Sequence, residues 1–122
     1  MVLSERAADH VARPRNRGEM ADASLIGVSG AQGEGSYVRF WLKVEGGKIL
    51  KASYETNGCP SAIACASMVC ELAMGRELDK MKLLEPEELI LILGGLPEGK
   101  ESYARMAILA MRCAIGETDA LR

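Results

Sequence analysis

Histidine, tryptophan and phenylalanine each occur once in this chain, and tyrosine three times. So few rings leave no stacking platform for nucleotide bases. Cationic excess is missing too. The formal net charge is −2, which gives no basic footprint for nucleic acid. No apolar run approaches the ~18 residues that span a bilayer. The four cysteines, Cys59, Cys65, Cys70 and Cys113, include no C-x-x-C pair, so a structural zinc site has little support. No Ser/His/Asp arrangement for nucleophilic catalysis is visible, and the expectation is a protein that is not an enzyme. The amino-terminal stretch is charged and polar, which argues against a secretory signal. A cytoplasmic location with reduced thiols is the default expectation.

What is present fits one soluble domain over residues 1–122. Hydrophobic residues make up 48 % and charged residues 26 %, and this length supports a real core.

The chain is organised around residues 54–72, YETNGCPSAIACASMVCEL. This stretch begins as a strand, turns at Asn57-Gly58 and becomes a helix at Pro60. Asn and Gly tolerate the backbone angles of a tight turn. Proline suits the first helical position, where its missing N–H is not needed. Cys59 is then the N-cap, facing unpaired N–H groups and the positive end of the helix dipole. Both favour thiolate over thiol. Cys59 reads equally well as a small buried hydrophobe that precedes a helix. On that helix Cys65 and Cys70 point roughly 140° apart, and Cys59 and Cys70 lie ~16 Å apart along the axis, so the three share no metal. Cys65, Cys70 and Cys113 read as packing residues.

Ser4 is the expected N-cap of a first helix, with Glu5 in its first turn and Arg13-Pro14 at its end. His10 lies near that end, where the dipole favours a cation, and reads as a packing residue rather than a metal ligand. Residues 15–23 read as a linker and residues 25–28 as a short strand. Gly27, Gly30, Gly33 and Gly35 follow, with Glu34 among them, in a loop without the context of a nucleotide-binding motif. Residues 37–44 alternate, with Val38, Phe40, Leu42 and Val44 on one face and Tyr37, Arg39, Trp41 and Lys43 on the other. Gly46-Gly47 joins them to a strand over residues 49–56 as an antiparallel hairpin. Ile63, Ala66, Val69, Cys70 and Ala73 keep helical spacing, with Gly75 as the cap. Residues 78–84 form a short helix or an irregular turn. Helices are expected over Pro86–Leu93 and Glu101–Ile115, the latter with Met106, Leu109, Ala110 and Cys113 on its inner face. Strands followed by helices give an α+β sandwich: a small three-stranded antiparallel sheet with helices packed on one face.

Three stretches carry a family resemblance. They are Ser4-Glu5 with Asp9-His10, Pro14-Arg15-Asn16 and Gly18; Thr56-Asn57-Gly58-Cys59 with Ser61-Ala62-Ile63-Ala64; and Leu96-Pro97 with Lys100. Together they resemble the IscU/NifU family of iron–sulfur cluster assembly scaffolds, over about residues 4–115. The resemblance implies an α+β fold and a cluster held on one rim by three cysteines, helped by an aspartate and a histidine. Only Cys59 matches a family cysteine. Glu34 takes a second cysteine position and Ser36 the aspartate position. A shifted register puts Gln32 and Glu34 there instead. Ser102 and Tyr103 take the place of a His-Cys pair. Glu98-Gly99 interrupts the segment from Leu96 to Lys100 that the family presents to a chaperone, which weakens that contact.

A [2Fe–2S] cluster needs four ligands, mostly thiolates. One chain offers Cys59 and Glu34. The resemblance therefore implies a scaffold that binds iron or a [2Fe–2S] cluster, with zinc as a substitute, through an incomplete set that a homodimer would complete by pairing two Cys59 and two Glu34. Two alternatives stay open. Cys59 is a persulfide acceptor for a cysteine desulfurase, similar in fold to the single-cysteine SufE proteins, or the chain is a metal-free interaction module on the same fold.

Overall fold

The computed structural model describes residues 3–30, 35–57 and 59–116. Helix α1 (Glu5–Ala12) is followed by strands β1 (Leu25–Gly30), β2 (Tyr37–Glu45) and β3 (Lys48–Thr56). Helices α2 (Pro60–Ala73), α3 (Leu78–Met81), α4 (Pro86–Leu93) and α5 (Glu101–Ile115) complete the described chain. The strands form one antiparallel sheet in the order β1-β2-β3. The expected α+β arrangement of a small antiparallel sheet under helices is present.

The hairpin forms where Gly-Gly requires it. Gly46 and Gly47 have φ of 59° and 79°, and two successive positive φ values give the tight turn whose twist matches the flanking strands. Val38, Phe40 and Leu42 of β2 face inward with Ile49, Ala52 and Tyr54 of β3, all buried. Helices α2 and α5 cover this face.

Helix α2 departs from one-sided patterning. Ser61, Ala62, Ala64, Cys65, Ala66, Ser67, Met68, Val69, Cys70 and Ala73 are all buried, whereas Ile63 is half-buried. The helix is enclosed by β3, α1, α4 and α5. Its alanines, serines and cysteines are small enough to admit a neighbour on every side.

The inner face of α5 is rotated from the sequence expectation. Ala104, Ala107, Ile108, Ala110, Met111 and Ala114 are buried, Leu109 is 39 % exposed, and Met106 and Cys113 are half-buried. Close approach to β1 explains the shift. A Cβ placed on Gly27 would lie 2.2 Å from Ala114 N and 2.4 Å from the Ala110 carbonyl oxygen. The small residues of α5 turn toward the sheet because only they permit that spacing.

Residues 15–23 are more than a linker. The Tyr54 N–H donates to the Asn16 carbonyl at 3.0 Å, and the Gly18 N–H donates to the Tyr54 carbonyl at 2.7 Å. The segment therefore pairs with the free edge of β3. Asp22 then meets Lys43 at 3.3 Å, and the Ser24 N–H donates to the Leu42 carbonyl at 2.7 Å. Lys43 belongs to the face opposite the helices, so the segment crosses that outer face from the β3 edge to the β1 edge. Trp41, also on that face, is only 6 % exposed, with the Arg39 guanidinium 5.9 Å from its ring centre.

Candidate functional site

Strand β3 ends at Thr56 and α2 begins at Pro60. Cys59 caps the helix in an extended conformation, φ −71° and ψ 176°. Its carbonyl accepts from the N–H groups of Ala62 at 2.9 Å and Ile63 at 3.2 Å. Its sulfur makes no well-formed capping hydrogen bond, and the thiol is half-buried. It opens on a cleft of about 390 Å³ lined by Leu3, Cys59, Pro60, Ser61, Pro97, Glu98 and Lys100.

A second helix start borders this cleft. Lys100 is the N-cap of α5, and its ammonium lies 5.7 Å from the ring centre of Tyr103. Partial burial pushes the Cys59 thiol up. The N–H groups of Ala62 and Ser61, the Tyr103 hydroxyl and the Lys100 charge act the other way, and together they hold it below its ordinary value. The physical cause is the one expected at an N-cap: dipoles and a cation that favour the anion.

Cys65 and Cys70 are inert by contrast. Burial, with a smaller push from Cys59, raises the Cys65 thiol to about 12. Complete burial raises Cys70 well above the ordinary value. Cys113 is half-buried on α5.

Of the positions singled out in the sequence, Cys59 and Tyr103 are brought together. Ser102 is exposed in the first turn of α5 and does not line the cleft. Ser36 is half-buried just before β2. Glu34 and Gln32 lie outside the described residues. Lys100 as the neighbouring cation and Leu3 as a wall had no local signal. Both are far from Cys59 in sequence, and only the packing of α1 and α5 around α2 joins them.

Among the described residues, no three His, Cys, Asp or Glu side chains converge on one point. One thiolate beside a phenol and a lysine does not make the four-ligand set of a [2Fe–2S] cluster. His10 is apart from the site. It is 2 % exposed, its Nδ1 is 2.7 Å from Ser67 Oγ, and its Nε2 is 3.6 Å from Glu71 Oε2. The cation expected at the end of α1 is not favoured. Burial first, and then Arg15, lower the imidazole below its ordinary value, against Glu71 and Asp9.

The family model described as NifU-like N terminal domain matches residues 3–120. This chain belongs to the NifU-like N-terminal domain family.

Its relatives agree with that placement. One of the two IscU iron–sulfur cluster assembly scaffold proteins of Archaeoglobus fulgidus is 33 % identical over 114 residues, covering 93 % of this chain and 74 % of that protein. The IscU scaffold protein of Aquifex aeolicus is 32 % identical over 114 residues, covering 92 % and 73 %. Against the nitrogen fixation protein NifU of Cereibacter sphaeroides, 32 % identical over 110 residues, the NifU-like domain spans 90 % of this chain but 45 % of the relative. The fold also superposes on the crystal structure of a putative iron–sulfur cluster assembly scaffold protein for the SUF system from Fervidobacterium islandicum. That match has a TM-score of 0.67 and 15 % identity, and covers 92 % of this chain and 95 % of the other.

Proposed function

We propose that this NifU-like domain takes part in iron–sulfur cluster assembly as a non-enzymatic scaffold-type protein, with Cys59 as its working thiolate. The observation that carries the reading is Cys59 itself: a half-buried thiol at the start of α2, lowered below its ordinary value, facing a cleft with Lys100. The names of the curated relatives support the pathway. In this reading iron or a [2Fe–2S] cluster is cargo. A second copy supplies the missing ligands, with Cys59 and Glu34 of each chain around one centre. A cysteine desulfurase supplies the sulfur, and the cytoplasm is the location.

Anaerobic incubation with ferric iron and sulfide tests this. The expected result is a visible cluster spectrum that co-elutes with a dimer and is lost in C59A. No bound iron, or C59A behaving like the wild type, would sink it.

A second reading is favoured by the electrostatics of the cleft. A single thiolate next to a lysine and a phenol is better suited to accepting one sulfur atom than to enclosing metal. Here Cys59 carries a persulfide delivered by a cysteine desulfurase. Mass spectrometry after incubation with a desulfurase and cysteine should find one added sulfur on Cys59. An unmodified Cys59 ends this reading.

A further inference from the structure

Two charged side chains line the cleft at Cys59, and the fold treats them differently. Lys100 is half-buried, whereas Glu98 is exposed. The start of α5 makes the difference. Lys100 is the N-cap, its carbonyl accepts from the Tyr103 N–H at 3.1 Å, and its ammonium lies 5.7 Å from the Tyr103 ring centre. One helical turn thus sets the lysine over an aromatic face, which favours the cation. Lys43 and Lys82 are each paired, with Asp22 at 3.3 Å and Asp79 at 3.6 Å. Lys100 forms no ion pair with a carboxylate among the described residues. Leu3, Pro60 and Pro97 form apolar walls, and such walls screen a charge less than open water does.

This cation solves a problem that sulfur transfer sets. A thiolate must meet a donor that is itself an anion near its sulfur, and like charges repel. A cation in the same cleft offsets that repulsion.

We propose that Lys100 is the specificity-determining residue of the Cys59 cleft, selecting a small sulfur donor of the class of a carboxylate-bearing persulfide. This rests on the reading of Cys59 as a persulfide acceptor. In the transfer the Cys59 thiolate attacks the terminal sulfur of R–S–SH. The bond between the two donor sulfurs breaks, and R–S⁻ leaves with its electron pair. Cys59 gains the terminal sulfur with its proton, so no outside oxidant or reductant is needed.

The test compares two methanethiosulfonate reagents of similar size on the Cys113→Ser protein, the anionic sulfonatoethyl and the cationic trimethylammonioethyl compound. Both react with the same thiolate, so the ratio of their rates does not depend on the fraction ionised. Relative to a neutral model thiol, Cys59 should favour the anionic reagent by about three- to tenfold, and added salt should weaken the preference. Lys100→Gln should remove most of it and Lys100→Arg should keep it. A ratio unmoved by K100Q overturns the proposal, and so does an equal loss in K100R or a larger change from Glu98→Gln than from K100Q. The substrate class is tested with the persulfides of N-acetylcysteine and of its uncharged amide. Mass spectrometry should find sulfur added to Cys59 several-fold faster from the carboxylate, with the difference lost in K100Q. Equal rates in the unsubstituted cleft overturn the substrate class. None of these measurements needs a desulfurase. An anion preference that stands while a desulfurase leaves Cys59 unmodified would end delivery by that enzyme and leave the role of Lys100 in place. A flat ratio on a Cys59 that the desulfurase does modify would do the reverse.

Discussion

His10 and Ser67 share a 2.7 Å hydrogen bond in the interior between α1 and α2. Ser67 Oγ also accepts from the Arg15 N–H at 3.1 Å. The Glu71 carboxylate lies 3.6 Å from the far side of the imidazole. A proton on Nε2 faces that carboxylate, so the neutral tautomer with Nδ1 accepting from Ser67 satisfies all three groups. The resemblance motif Asp9-His10 thus works here as an interior joint between the first helix and the central one.

That joint predicts acid sensitivity. The folded-state imidazole is lowered below its ordinary value, burial being the first cause and Arg15 the second. Below about pH 6.5 the unfolded chain therefore binds a proton that the folded chain resists, and stability falls as pH drops. Above that pH the contribution is complete. Asp9, held at about 2 by hydrogen bonds to Arg13 and Arg15, stays ionised throughout this window and cannot be the cause. Urea midpoints taken from about pH 7.5 to about pH 5 should fall for the wild type and fall less for His10→Asn. Equal slopes for the two proteins would rule out His10 as the sensor.

The thiols should separate sharply in reactivity. With limiting iodoacetamide near neutral pH, Cys59 should be modified before Cys65 and Cys70. Its neighbours favour the anion, whereas burial raises Cys65 to about 12 and pushes Cys70 well above its ordinary value. Lys100→Gln should slow Cys59 by about two- to fivefold, because one partly exposed cation is lost. Peptide mapping that finds Cys65 labelled before Cys59 would contradict this.

Gly27→Ala should be among the most damaging single substitutions in the sheet. The added carbon would meet backbone atoms of Ala110 and Ala114 within 2.4 Å, and backbone cannot rotate away as a side chain can. Overpacking of this kind costs about 1–3 kcal/mol or more. Gly35→Ala is the contrast in space: a Cβ there meets nothing within 4 Å, although its φ of 135° adds backbone strain. A thermal melt of G27A within a degree or two of the wild type would show that α5 shifts freely over β1.

These elements show what could be read from residues alone. Caps and turns were legible because their chemistry is local: Ser4, Gly46-Gly47, Pro60 and Pro86 each fix a boundary without help from the rest of the chain. The inner face of α5 was not, because it depends on a glycine some eighty residues away in sequence that admits the helix to the sheet. Cys59 was found by its place between a strand and a helix. Lys100 stands out in the sequence only as part of the family segment, and its role beside the sulfur depends on how α5 packs. The path of residues 16–24 across the outer face was hidden for the same reason: Asn16, Gly18 and Asp22 look like loop residues until Tyr54 and Lys43 are placed opposite them.

Ser4 closes two helices with one hydroxyl, and its removal should be felt in both. Its oxygen accepts from the Ala7 N–H at 3.1 Å, capping α1, and its proton goes to the Leu93 carbonyl at 2.5 Å, in the last turn of α4. Arg6 Nη1 donates to the neighbouring Ile92 carbonyl at 2.7 Å. The start of α1 thus satisfies carbonyls that the end of α4 leaves unpaired. Ser4→Ala loses a cap worth about 0.5–2 kcal/mol and strands a part-buried acceptor at a cost of about 1–3 kcal/mol. Ser4→Asp separates the two roles. Its carboxylate still caps α1, but it has no proton for Leu93 and sets a negative charge against the negative end of α4. The urea midpoints should therefore run wild type above both variants, with amide exchange at Ala7 preserved in S4D and accelerated in S4A. An S4D protein as stable as the wild type would show that the Leu93 bond contributes nothing and that Ser4 serves α1 alone.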